Sequence, residues 1–216
     1  MIPRSQLSGL ILAGGRATRM QARAAGQPVD KGLVTLHGQP LVRRAADFLQ
    51  PWVAVLLISA NRNIPAFQAY GQVIPDDVGF GHQAGPLAGV ASALAICTTP
   101  WLVVTPVDVA RLPESFVPRL ADTLLITGRL MAYAKSDGHD HPLCAIIHQS
   151  LEPALRAWVL SGGRKVRQWL SVCQAVPVSF PACYPDFANI NTPEDLWQAH
   201  QNSPREAPPG GRGHSN

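Results

Sequence analysis

Two adjacent glycines and the charged residues spaced around them are where this 216-residue chain could do chemistry. Gly14 and Gly15 end the apolar run Leu10-Ile11-Leu12-Ala13. Paired glycines let successive backbone N–H groups close around an anion, and Arg16, Arg19 and Lys31 place positive charge beside them. A triphosphate fits such a loop; an ordinary Gly-Gly turn among solvated basic residues reads the same way from the glycines alone. Two more polar positions follow apolar runs. Asp76-Asp77 comes after Val73-Ile74-Pro75, and Asp108 comes after Trp101 to Thr105 and the step Pro106-Val107. An aspartate at the end of a buried strand suits Mg²⁺, a hard cation that takes carboxylate and phosphate oxygens. The other reading of Asp108 is a turn aspartate capping Pro113-Glu114.

Positioning such residues needs a sheet whose strand ends converge. Apolar runs of strand type, buried on both faces, are predicted at Gly9 to Ala13, Val53 to Ser59, Gln72 to Ile74 and Trp101 to Thr105. Helices are predicted between them at Pro40 to Leu49, which is amphipathic, and at Pro86 to Cys97, which is rich in alanine and has a proline at its first position. This alternation makes the chain α/β, an open, mostly parallel, doubly wound sheet in which ligands gather at the carboxyl ends of the strands. Past residue 128 the pattern loosens into runs at Leu130 to Ala134 and Leu143 to His148, then helices near Leu151 to Leu160 and Val166 to Ser171. This half is expected to serve a second substrate. Thr192-Pro193-Glu194-Asp195 offers a cap, a first-turn proline and an acid three residues after the cap, so a last helix is predicted over Pro193 to His200. One domain over residues 1–201 is expected. The tail 202–216 has no apolar anchors and is expected to be disordered.

Composition removes several classes. Hydrophobic residues at 46% and charged residues at 15% fit a chain with a sizeable core, and no apolar run approaches the roughly 20 residues that span a bilayer. No signal peptide is read at the N-terminus, so the expected compartment is the cytoplasm. Cys97, Cys144, Cys173 and Cys183 are scattered without a C-x-x-C pair and read as reduced packing residues. His139 and His141 bracket Asp140, but Asp137 to Pro142 reads as a polar turn before a strand and lacks further metal ligands. A net charge of +4 suits phosphorylated metabolites as well as nucleic acid, and names no partner by itself.

The set of motifs taken in order is more specific than any one of them. It comprises Leu12-Ala13-Gly14-Gly15 with Thr18-Arg19-Met20, Asp30-Lys31-Gly32-Leu33, Ala60-Asn61-Arg62, Gly85 to Gly89, Pro106-Val107-Asp108, Asp140-His141-Pro142 and Asn189 to Leu196. Together they resemble the molybdenum cofactor guanylyltransferase family, collinearly over almost the whole chain before the tail. The resemblance implies a Rossmann-like nucleotidyltransferase fold. It implies transfer of GMP from GTP to the phosphate of molybdenum-loaded molybdopterin, with Mg²⁺ as cofactor and pyrophosphate released. By the same resemblance, Leu12, Ala13, Gly14 and Gly15 would hold base and phosphates, while Lys31 and Arg19 would meet phosphate charge. Asp76 would lie against the guanine nucleotide and Asp108 would bind it and ligate Mg²⁺. Asn189 and Asn191 would face the reacting centre, and Gly163-Arg164-Lys165 resembles a basic loop that meets the pterin. Molybdoenzyme chaperones are the expected protein partners; neither nucleic acid nor membrane is expected.

Three positions depart from the family's pattern. Gln21 to Val29 lengthens the loop before Asp30 and reads as a lid, Ser59 stands where the family usually has Asn, and Val107 where it often has Cys. Other classes fit less well. A cytidylyltransferase acting on molybdopterin or on a sugar or polyol phosphate usually reads Leu-Ala-Ala-Gly at the loop. A dinucleotide oxidoreductase needs Gly-x-Gly-x-x-Gly after the first strand, and a P-loop GTPase needs Gly-x-x-x-x-Gly-Lys-Ser/Thr; neither occurs. A basic binding module without catalysis would leave Asp76 and Asp108 unexplained.

Overall fold

The first apolar run forms β1 (Leu7–Leu12), buried on both faces, with Leu7 and Ile11 in one layer of core and Leu10 in the other. A computed structural model of the chain describes residues 1–14, 30–81, 84–183 and 186–201. The insertion 21–29 and the tail 202–216 lie outside the described residues. After the insertion come a short hairpin, β2 (Thr35–Leu36) and β3 (Gln39–Pro40), then α1 (Leu41–Leu49), β4 (Val55–Ser59), α2 (Ile64–Gln68) and β5 (Gln72–Ile74). Then follow α3 (Pro86–Ile96), β6 (Trp101–Pro106), α4 (Phe116–Thr127), β7 (Met131–Ser136), β8 (His139–His148), α5 (Glu152–Leu160), α6 (Val166–Val172), β9 (Val176–Phe180) and α7 (Pro193–Gln201).

Seven strands make one sheet in the order β5-β4-β1-β6-β8-β7-β9. The pairs β4–β5, β1–β4, β1–β6 and β7–β9 are parallel, and β8 alone runs against both of its neighbours. The expected mostly parallel, doubly wound sheet is therefore present. The chain winds outward from β1 to β5, then returns through α3 to β6 on the other side of β1. The strand order reverses at β1 and β6, and their carboxyl ends form the crevice where such sheets bind ligands. Helix α3 covers one face there, and its residues Leu87 to Leu94 are all buried. Its small residues permit close approach: a Cβ added at Gly89 would strike Ser59 Oγ and come within 3.2 Å of Leu12 Cδ2.

The structure corrects the reading of Asp137 to Pro142 as a turn. Only Asp137 and Gly138, at φ 49° and 72°, turn the chain, and His139 already begins β8. The register with β7 jumps between Tyr133↔Ala145 and Ala134↔His141, so Pro142 to Cys144 are accommodated in a bulge, a position in a sheet that tolerates proline. Helix α4 and strand β9 were not anticipated. Pro118 punctuates the first and Pro177 the second, yet Pro118 sits in the first helical turn, where its missing N–H has no intrahelical partner to lose. No helix among the described residues is long and apolar enough to cross a membrane.

Candidate active site

The end of β6 is sewn to the end of β1 by the Val107 N–H, which donates to Leu12 O at 3.1 Å. The next residue, Asp108, is held from the far side by the Ile190 N–H, which donates to its carbonyl at 2.8 Å. Into this corner comes Lys31, whose Nζ donates to Asp108 Oδ2 at 2.7 Å and to Asn191 Oδ1 at 2.6 Å. The Lys31 and Asp108 side chains are only 12% and 22% exposed, so solvent screens the pair weakly. Three residues from remote parts of the chain thus form one polar cluster at the switch point.

Each member is positioned by neighbours whose types follow from the motifs. Asp30, buried, accepts from the guanidinium of Arg62 and, at 2.8 Å, from Asn63 Nδ2, which fixes the backbone that presents Lys31. Gly32 follows because a Cβ there would come within 2.8 Å of the Phe67 ring. Asn191 is set by the start of α7. Asp195 Oδ2 accepts from the Asn191 and Thr192 N–H groups, each at 2.8 Å, and the Asp195 N–H donates to Thr192 Oγ1 at 3.1 Å. This is the reciprocal cap expected from Thr-Pro-Glu-Asp. Burial works against the Asp195 charge, but hydrogen bonds from Asn191 and Thr192 and the nearby Lys31 outweigh it, so its carboxyl is held below its ordinary pKa.

The second polar strand end is Asp76. Its N–H donates to Asn61 Oδ1 and its Oδ2 accepts from Asn61 Nδ2, both at 2.8 Å. In the sequence Asn61 stands only within Ala60-Asn61-Arg62; the signal that pairs it with Asp76 is the complementarity of an amide just past one strand to an acid just past the next, fifteen residues on. Ala60 N–H donates to Ile74 O, and Ala13 N–H to Ser59 O at 2.9 Å, so Leu12, Ala13 and Gly14 leave β1 along the end of β4. Ser59 turns its hydroxyl toward Gly89, placing the departure from the usual Asn beneath α3. Gly15 and Arg19 lie outside the described residues.

Asn189 is exposed and pairs across a single bridge with Val109, the residue after Asp108, and makes no hydrogen bond to the Lys31 cluster among the described residues. Arg164, in the loop expected to face the pterin, is exposed and donates to main-chain carbonyls, Val159 O at 2.6 Å and Phe80 O at 3.5 Å. Lys165 is exposed. His141 stacks on Phe187 with ring centroids 4.9 Å apart, and its pKa is lowered by burial and by His139, against the opposing charge of Asp140. Cys144 lies in the core, where burial and then the Asp108 charge push its thiol well up, leaving it inert at neutral pH. All four cysteines are free as expected, though Cys183 is exposed and so is not a packing residue.

Among the described residues no three His, Cys, Asp or Glu side chains stand close enough to hold a metal. Asp108 is nonetheless a suitable single ligand: one oxygen is engaged by Lys31, and a second remains for a cation that takes its other ligands from phosphate. The cluster can therefore bind and orient a polyanion, with a carboxylate and an amide each one hydrogen bond from the same ammonium.

Residues 9–177 match the family model described as the MobA-like NTP transferase domain. A molybdenum cofactor guanylyltransferase of Yersinia pseudotuberculosis is 38% identical over 194 residues, which cover 89% of this chain and 95% of that protein. Among solved structures, the molybdopterin-guanine dinucleotide biosynthesis protein A of Archaeoglobus fulgidus superposes with a TM-score of 0.67 at 23% identity, covering 90% of this chain and 97% of that one. A Mycobacterium tuberculosis protein in complex with manganese gives a TM-score of 0.66 at 14% identity, covering 92% and 100%; at such identities the likeness is one of fold.

Proposed function

The chain belongs to the molybdenum cofactor guanylyltransferase family and is a nucleotidyltransferase, and we propose that it makes its dinucleotide product at the corner where β1, β6 and the start of α7 meet. The reaction is transfer of GMP from GTP to the phosphate of molybdenum-loaded molybdopterin: an acceptor phosphate oxygen bonds to the α-phosphorus and pyrophosphate leaves. The observation that carries this reading is the Lys31–Asp108–Asn191 cluster beside the Leu12 to Gly14 backbone at the switch point.

A phosphate monoester is largely ionised at neutral pH, so its attack needs no dedicated general base. The obstacle is repulsion between two anions, and the protein contributes alignment and electrostatic stabilisation. Lys31 meets triphosphate charge, and Arg19 is proposed to join it. Asn191, its amide set by Lys31 and its backbone by Asp195, lies beside the path of the incoming phosphate, with Asn189 flanking it. The Leu12 to Gly15 backbone edges the base and phosphates, and Asp76, held by Asn61, accepts from the guanine N1–H and N2–H. Asp108 would hold a divalent ion, proposed to be Mg²⁺, which when bound offsets phosphate charge on the departing pyrophosphate. Base choice tests the reading directly. Purified protein is incubated with molybdopterin, Mg²⁺ and each of four nucleoside triphosphates, and the dinucleotide is identified. GTP should be strongly preferred, because a base that leaves buried acceptors unpaired forfeits about 1–3 kcal/mol for each. Equal or better use of CTP would overturn guanylyl transfer.

A further inference from the structure

The turn that carries Asp76 has a second support that no motif contains. After Asp76 the chain makes a 3-10 turn over Val78–Phe80, with Asp77 as its cap: Asp77 Oδ1 accepts from Gly79 N–H at 2.8 Å. The Asp77 N–H donates to Ser92 Oγ on α3 at 2.8 Å. The remaining carboxylate oxygen, Oδ2, accepts from an Arg156 guanidinium nitrogen at 2.8 Å, and the same guanidinium lies over the Phe80 ring, 5.2 Å from its centroid. Arg156 therefore grips both ends of the turn from α5, once by charge and once by stacking. Phe80 is buried, so its ring is a fixed platform, whereas Val78 at the tip is 96% exposed and gives the turn no anchorage. Arg164 adds a weaker tie to Phe80 O from the loop after the same helix. The Gly79 N–H and then Arg156 hold the Asp77 carboxyl below its ordinary pKa, so the pair is charged throughout the neutral range.

We propose that Arg156 is a positioning residue for base recognition: through Asp77 and Phe80 it fixes the turn that presents Asp76, and so sets how strictly guanine is selected. The inference rests on the reading that Asp76 accepts from the base. A loop residue reads a base edge only if the loop is held to a fraction of an ångström, and a turn with an exposed apolar tip does not hold itself. Asn61, just past β4, fixes Asp76 and Ser92 fixes the backbone from α3, but among the described residues Arg156 is the side chain of the second half of the molecule that pairs with the carboxylate of the turn.

The test compares GTP with inosine triphosphate, which lacks only the 2-amino group, as the ratio of kcat/KM values with molybdopterin as acceptor. Asp76→Asn should bring that ratio close to one. Arg156→Met should lower it about tenfold, chiefly through a higher KM for GTP with kcat little changed. Asp77→Asn should do the same, and the double variant no more. Arg156→Lys, which keeps charge but loses the planar stack, should recover part of the ratio, and melting temperatures of all variants separate this effect from loss of fold. If Asp76→Asn collapses the ratio while Arg156→Met and Arg156→Lys leave it at the wild-type value, the positioning role is overturned and the reading of Asp76 stands. If the effects of Arg156→Met and Asp77→Asn simply multiply, the pair does not act as one support and the inference falls. If Asp76→Asn leaves the ratio unchanged, the reading of Asp76 fails and takes the inference with it.

Discussion

Replacing Lys31 by Met removes the ammonium while keeping most of the apolar stem, and strands Asp108 and the Asn191 carbonyl together. At 2.7 Å, the direct attraction between Lys31 and Asp108 is about 6 kcal/mol at an effective dielectric near 20, most of it returned by the desolvation of both groups. What the variant exposes is the unpaired carboxylate. Breaking a fully buried pair costs about 3–5 kcal/mol; with side chains 12% and 22% exposed, water recovers part of this and about 2 kcal/mol is expected. In a domain of this size that lowers the melting temperature by about 4–8 °C. Guanylyl transfer should fall by about 10² to 10³, the effect of removing one donor from a developing anion. The decisive measurement is a double-mutant cycle by urea denaturation. Asp108→Asn in the Lys31→Met background removes the stranded charge and should restore about 1 kcal/mol or more, although Asp108→Asn alone destabilises. Additive effects, with a coupling below about 0.5 kcal/mol, would refute the idea that the two side chains form a unit.

Two further outcomes follow from particular contacts. Gly89→Ala should destabilise by about 1 kcal/mol as the new methyl presses on Ser59, the strain exceeding the gain of about 1 kcal/mol in helix propensity; in a Ser59→Ala background, which removes the Oγ but keeps the Cβ at 3.1 Å, the cost should shrink, and an equal effect in both backgrounds would sink the packing argument. His141, held neutral by burial, titrates below its unfolded value, so the unfolded chain binds the extra proton as pH falls below about 6.5 and stability declines from there down through the folded pKa. His141→Phe keeps the stack on Phe187 without the proton and should flatten part of that decline in melting temperature between about pH 7 and pH 5.5; His148, also lowered by burial, retains its own share.

The parallel half of the sheet was legible because its strands are apolar on both faces and end in Gly, Asp or Ser. Gln72–Ile74 appears with its predicted bounds, while β1 begins two residues earlier than predicted and β4 two residues later. The cap of α7 was legible for a local reason too, since Thr192 and Asp195 are three residues apart. What escaped was long-range. Nothing local in Asp30-Lys31-Gly32 says that Asp30 pairs with Arg62, or that Lys31 sits between Asp108 and Asn191. Arg164 likewise has a contact that local sequence does not announce, a bond from its guanidinium to Val159 O at the end of α5. The hairpin β2–β3 was missed because it rests on two residues a side and on a turn whose first residue, His37, takes φ 52° without being glycine.

Lys31 bonds to a side chain 160 positions further along the chain, and the nine strands of the described residues all precede that partner. A polypeptide released before Asn191 would carry every strand of the sheet, and both Lys31 and Asp108, yet lack the amide that completes their cluster and the acid that caps it. Synthesis of residues 191 to 201 thus acts as a licence: the corner between Lys31 and Asp108 is closed by residues that leave the ribosome after the whole sheet, and a product that ends before them has the sheet without the finished cluster proposed for transfer.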